Sequence, residues 1–184
     1  GLVTAEAFFE KVADLLSEAG EVDEADRAYY EGKYSVHQMQ VDGYGGDPSD
    51  NSGVLTLIIC DFGLSEEIRV LNRPHVERLQ NRLFRFLVSS MKPDFKSQLE
   101  ETSPGFGLAD LISTRWNMIE KVKLVVATNG NFSARSDAEP LDPIDGKPIT
   151  LSVWDLKRLK QFMDQGQARA DLQIDFEKDF GGGI

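Results

Sequence analysis

The sequence predicts a single α/β domain of the mixed α+β kind, a central mixed sheet flanked by helices. Three observations lead there. Val54 to Cys60 and Val122 to Thr128 are apolar, β-branched runs of strand length with no polar face, as strands buried on both sides require. Segments with apolar residues at helical spacing lie around and between them, so connections cross over and the sheet is at least partly parallel. The chain has 184 residues, 41% hydrophobic and 28% charged, enough for one domain with its own core.

The elements follow in chain order. Thr4 can cap a first helix, with Glu6 in the first turn and Phe8, Phe9, Val12, Leu15, Leu16 and Ala19 as its buried face. Gly20 ends it, and an acidic stretch, Glu21 to Asp26, leads to Tyr29-Tyr30. Tyr34 to Val41 reads as extended, Asp42 to Gly46 and the loop Asp47 to Gly53 as a turn region, and Val54 to Cys60 as a central strand. Ile68 to Leu71 is a short third strand.

Asn72-Arg73-Pro74 opens a second helix with Val76, Leu79, Leu83, Phe86 and Leu87 inward. Arg78, Arg82 and Arg85 fall on its far side and read as a solvated face, with a phosphate contact as the alternative. Pro93 starts a short helix to about Glu101, and Leu108 to Ile119 form another. Val122 to Thr128 is stopped by Asn129-Gly130. Asn131 to Pro148, polar and with three prolines, reads as a long surface loop. Ile149 to Val153 is a strand, Leu156 to Met163 a helix, and Leu172, Ile174 and Phe176 a final strand. The expected domain spans residues 1–177, and residues 178–184 are a linker. A start at Gly1 and a Gly181-Gly182-Gly183 tail suggest the front piece of a larger protein.

Composition excludes several classes. The net charge of −11, from 31 acidic and 20 basic residues, argues against nucleic-acid binding by the whole surface, though not by a local strip. No apolar run approaches the ~20 residues of a membrane span, and the first apolar stretch is broken by charges, unlike a signal peptide. A lone cysteine, Cys60, rules out an internal disulfide and a cysteine-rich zinc site, and its strand suggests burial over reactivity. A cytoplasmic location and no membrane partner are expected. His37 and His75 lack metal-binding spacing, and no phosphate-binding glycine loop, nucleophile elbow or dinucleotide fingerprint is present.

The candidate chemistry rests on carboxylates. Asp42 and Asp61 each stand at a strand end, nineteen residues apart across a turn region. Antiparallel neighbours would bring them together as an Mg²⁺ site wants, with Glu18 or Glu21 as a third oxygen. The competing reading has Asp42 capping the Asp-Gly turn and Asp61 merely ending a strand.

Several segments together resemble the N-terminal region of bacterial abortive-infection phage-resistance (AIPR) proteins. They are Phe8-Phe9-Glu10 through Leu16 to Glu21, Val41-Asp42-Gly43-Tyr44, Leu55-Thr56-Leu57-Ile58 through Asp61-Phe62, Leu99 to Pro104, Thr128-Asn129-Gly130, Val153 to Leu159, and Ile174-Asp175-Phe176. The resemblance covers nearly the whole chain. It implies a restriction-endonuclease-like αβββαβ core with C-terminal additions, and the family's characteristic domain beyond Ile184.

Nucleases of that fold carry an acid in the first helix, an aspartate before glycine, and a Glu/Gln-x-Lys triplet on the next strand. Asp42-Gly43 matches, and Glu18 or Glu21 can supply the helix acid. The triplet position reads Ile59-Cys60-Asp61, with isoleucine in the acidic slot and aspartate in the lysine slot. Glu67-Ile68-Arg69 would be a displaced version on another strand, and Lys33 is the nearest base upstream of Asp42.

The expectation is therefore a catalytically degenerate nuclease-like module for interaction or regulation in a phage-defence protein, without a cofactor. Its partners would be the C-terminal domain of its own chain, and another protein or nucleic acid through the full-length protein. The alternative is an active, divergent nuclease cleaving DNA or RNA, with Mg²⁺ held by Asp42, Asp61 and Glu18 or Glu21.

Overall fold

Strand β3 (Val54–Asp61) is the centre of the fold, because six of its eight residues are buried. A computed structural model describes residues 4–48, 52–64, 66–132 and 139–170. In it, β3 pairs in parallel with β5 (Lys121–Thr128), and β5 in parallel with β8 (Lys147–Trp154). Strand β2 (His37–Gly45) runs antiparallel beside β3, with β1 (Ala25–Tyr34) outside it. β7 (Glu139–Ile144) closes the other edge, so the order is β1-β2-β3-β5-β8-β7. The two most apolar runs are thus inner strands, as their composition predicts.

Helices cover both faces. On one side, α2 (Arg73–Ser90), α3 (Pro93–Ser97) and α4 (Pro104–Arg115) form the β3-to-β5 crossover. They enclose a core that includes Leu57, Ile59, Leu83, Phe86, Phe95 and Ile112. On the other, α1 (Ala5–Glu18) and α5 (Leu156–Ala170) pack Phe9, Leu16 and Leu159 against Ile58 and Val125. Thr4 caps α1 by accepting the Ala7 N–H at 3.1 Å, and Asn72 caps α2 by accepting that of His75 at 2.9 Å.

Five expectations need correction. Tyr34 to Val41 is not one strand: the chain reverses at Ser35-Val36 between Tyr34 and His37, and the acidic stretch leads straight into β1. Both turn residues adopt positive φ, 50° and 61°, the two-residue hairpin geometry normally signalled by Asn-Gly. Asp42 to Gly45 belong to β2, not to a turn.

Asn131 to Pro148 is not a loop throughout. Asn131–Phe132 is β6, and β7 and β8 form a hairpin around Asp145-Gly146, whose φ values of 50° and 75° again fit a two-residue turn. The prolines are tolerated because β7 is an edge strand and Pro148 lies at the start of β8. Finally, the strand at Ile68 to Leu71 shrinks to β4 (Val70–Leu71), which pairs with β6 in a separate two-stranded sheet, and the short helix from Pro93 ends at Ser97. The expected strand at Leu172 to Phe176 and the linker lie outside the described residues. No helix of the described residues is long and apolar enough to cross a membrane.

Candidate functional site

Strands β2 and β3 separate as they run toward the carboxyl ends of the parallel strands. Their ladder holds through Gly45–Thr56, Tyr44–Leu57 and Gly43–Ile58, then stops. The cause is a change of face in β2. Met39 and Val41 pack into the α2 side, whereas a Cβ on Gly43 would run into the Phe9 ring of α1. A regular strand keeps residues two apart on one face, so the switch falls at Asp42. β1 shifts register opposite it, between Arg27 and Tyr30.

Asp42 fills the opening. It is 7% exposed, and its Oδ2 accepts the backbone N–H of Cys60 at 2.8 Å and the Gln40 amide Nε2 at 3.0 Å. The same amide lies 3.5 Å from the Cys60 carbonyl oxygen. A carboxylate and an amide thus replace the missing ladder bonds. Burial pushes the Asp42 carboxyl above its usual value, while the Cys60 N–H, Gln40 and the Arg27 guanidinium pull it back down.

Asp61 stands one residue beyond Cys60 in a different setting. Its Oδ2 accepts from Arg69 Nη2 at 3.0 Å and from Thr128 Oγ1 at 2.9 Å. Its Oδ1 lies 3.6 Å from His75 Nε2 in the first turn of α2. Arg69 also donates to Asn129 Oδ1 at 2.9 Å, and Asn129 exchanges bonds with both backbone groups of Gly63. Asp61 therefore ties the end of β3 to the end of β5, the start of α2 and the Arg69 segment.

Both aspartates adjoin Cys60, Asp42 through its backbone N–H and Asp61 as its chain neighbour. Burial and their charges push the Cys60 thiol well above its ordinary value, so it is buried and unreactive rather than poised.

The helix acids are not brought there. Glu21 lies beside Lys123 near the start of β5, its Oε2 3.6 Å from the ammonium and its carbonyl accepting from it. Lys123 pairs with Thr56, five residues and about 17 Å along β3 from Asp61. Glu18 is exposed at the last turn of α1. The part of α1 near the opening instead carries Phe8, whose ring lies tilted against Phe62 with centroids 5.1 Å apart, and Phe9 over Gly43. Lys33 is exposed and pairs with Gln38 near the hairpin tip, away from Asp42.

Sequence reasoning missed Gln40 and Thr128, and named Arg69 only as part of a displaced triplet, not as the partner of Asp61. Thr128 reaches Asp61 through the β3–β5 pairing and Arg69 through the loop after β3, while Arg82 reaches only Gln40. Gln40 offered one signal, since it stands two residues from Asp42. Arg82 does not lie on a fully solvated face. It is half-buried on the flank of α2 that meets β2, with Nη1 3.5 Å from Gln40 Oε1.

The donor set does not suit a hard cation. Mg²⁺ wants near-octahedral oxygen ligands. Here Asp61 is neutralised by Arg69, Asp42 Oδ2 already accepts two N–H groups, and the third position is Ile59, which is 0% exposed and has no ligand atom. Among the described residues no group of three or more His, Cys, Asp or Glu is placed to hold a metal ion. The arrangement orders strands and loops.

Residues 8–161 match the model of a family described as the abortive infection phage resistance protein N-terminal domain. A comparison with curated proteins finds no match.

Proposed function

We infer the function from membership: the chain belongs to the abortive infection phage resistance family, of which it carries the N-terminal domain. It is a module of a phage-defence protein. Within that role we read it as a nuclease-like domain that has lost catalysis and serves interaction or regulation.

One observation carries this reading. The aspartate in the lysine slot, Asp61, is clamped by Arg69, Thr128 and His75, and the aspartate of the Asp-Gly element, Asp42, is spent on the backbone of Cys60. Phosphodiester hydrolysis needs positive charge at the developing oxyanion and a positioned water. Asp61 contributes the opposite sign there, and its neighbouring cation, Arg69, is already paired. Within the main sheet, the order of helix, three strands, helices and strand supports the nuclease-like ancestry.

The active-nuclease alternative makes a different prediction in cells. Asp42→Asn keeps an oxygen to accept the Cys60 N–H but replaces an anionic metal ligand by a weak neutral one. Expressed in the full-length protein, it should protect a bacterial culture against phage as well as the wild type does, measured as efficiency of plating. Loss of protection with unchanged protein abundance and unfolding midpoint would overturn the degenerate reading and favour the nuclease.

A further inference from the structure

The chain has 31 acidic and 20 basic residues, and Arg69, Arg73 and Arg115 each pair with an acid. Arg78, Arg82 and Arg85 do not: among the described residues none of the three makes an ion pair, and Arg82 touches only the neutral Gln40 amide. They stand at i, i+4 and i+7 on one helix, so their charges repel one another.

Their direction is set by their neighbours. Arg73, on one flank of α2, reaches Glu139 of the β7 edge at 3.5 Å. Arg82 reaches Gln40 of β2 on the opposite flank, and helical spacing puts Arg78 and Arg85 on that flank with it. The row therefore borders the opening between β2 and β3. Arg78 is exposed, and Arg85 is half-buried.

We propose that this flank of α2 is a docking strip for the phosphodiester backbone of a nucleic-acid strand, with Arg78, Arg82 and Arg85 as its contacts. The row spans about 10 Å at 1.5 Å per residue, roughly three nucleotide steps. Guanidinium forks suit phosphate oxygens, and three uncompensated cations are the local strip that a net charge of −11 still permits. The choice of nucleic acid as occupant rests on the nuclease-like reading above, while the strip itself rests on geometry. Binding is weak and salt-dependent.

Fluorescence anisotropy of a short labelled single-stranded oligonucleotide, in EDTA at about 50 and about 150 mM salt, tests it. The chain should bind at the lower salt. Arg78→Gln/Arg82→Gln/Arg85→Gln should weaken binding at least about five-fold and flatten the salt slope by about 0.7 per lost contact. Should the triple variant melt early, Arg78→Gln, at an exposed position, should lose about two-fold where Lys157→Gln on α5 loses nothing. Absent binding at low salt, equal binding by the variants, or displacement by polyglutamate as effective as by unlabelled oligonucleotide would each overturn the strip, the last in favour of an acidic peptide. EDTA separates this outcome from catalysis. Failure of binding leaves the degenerate reading standing, and Mg²⁺-dependent cleavage by a chain that also binds overturns that reading but not the strip.

Discussion

Asp42 and Asp61 flank one cysteine, yet they do opposite kinds of work. Asp42 is buried among neutral donors, a backbone N–H and an amide, with its nearest cations at a distance. Asp61 keeps 16% of its side chain exposed and meets an arginine, a hydroxyl and a histidine. The first carboxylate stands in for ladder hydrogen bonds where two strands part. The second is the hub of a charged clasp at the sheet's carboxyl edge. Two acids in neighbouring strands resemble a metal site in sequence, and their partners decide whether they are free to be one.

Removing the hub should cost most. Asp61→Ala leaves Arg69 without its carboxylate and Thr128 without its acceptor, and should lower stability by about 3 kcal/mol in urea unfolding. A change under about 1 kcal/mol would mean that solvent substitutes freely and the clasp is ornamental. Asp42→Ala orphans the Cys60 N–H and should cost about 2 kcal/mol. If it costs more than Asp61→Ala, the ranking of the two sites is reversed.

Asp42→Asn separates charge from hydrogen bonding. It should lie within about 0.5 kcal/mol of wild type near neutral pH, because the amide oxygen still accepts from Cys60. The wild type should gain on it in acid. Burial raises the folded-state value of Asp42, so the native state takes up its proton first as pH falls. That contribution is fully present below the unfolded carboxyl value and is lost as pH rises through the folded one. The stability difference, wild type minus variant, should therefore shrink as pH rises above about 4. A difference that grows with pH would show that the Cys60 and Gln40 donors outweigh burial. The smallest effect is expected from Glu18→Ala, an exposed change within about 0.5 kcal/mol and silent in plating assays.

How much of this was readable in the chain varies by region. Val54 to Cys60 and Val122 to Thr128 announce inner strands because apolar residues occupy both faces, with Thr56, Lys123 and Thr128 the only polar positions. The β1–β2 hairpin hides because its turn is Ser35-Val36, with a β-branched residue 90% exposed at φ 61° instead of a glycine. The β7–β8 hairpin is legible at Asp145-Gly146, but Pro140 and Pro143, tolerated on an edge strand, and Pro148, at the start of β8, argue against strands there. The departure at Ile59-Cys60-Asp61 was visible in sequence. The partner of the displaced charge was not, since Arg69 and Thr128 reach Asp61 only through the loop path and the parallel β3–β5 pairing. The expected helix acid failed for a directional reason: α1 runs so that its first turns, with Phe8 and Phe9, lie near the opening and its last turn lies near Lys123.

The account's central claim is that both aspartates are committed to holding this fold and not to catalysis. A cleavage assay tests it most directly, with single- and double-stranded DNA and RNA, in Mg²⁺ or Mn²⁺, comparing wild type with Asp42→Asn. The account predicts no cleavage above the protein-free control for either chain. Metal-dependent cleavage by the wild type that disappears in Asp42→Asn, while the variant keeps its unfolding midpoint, would contradict it.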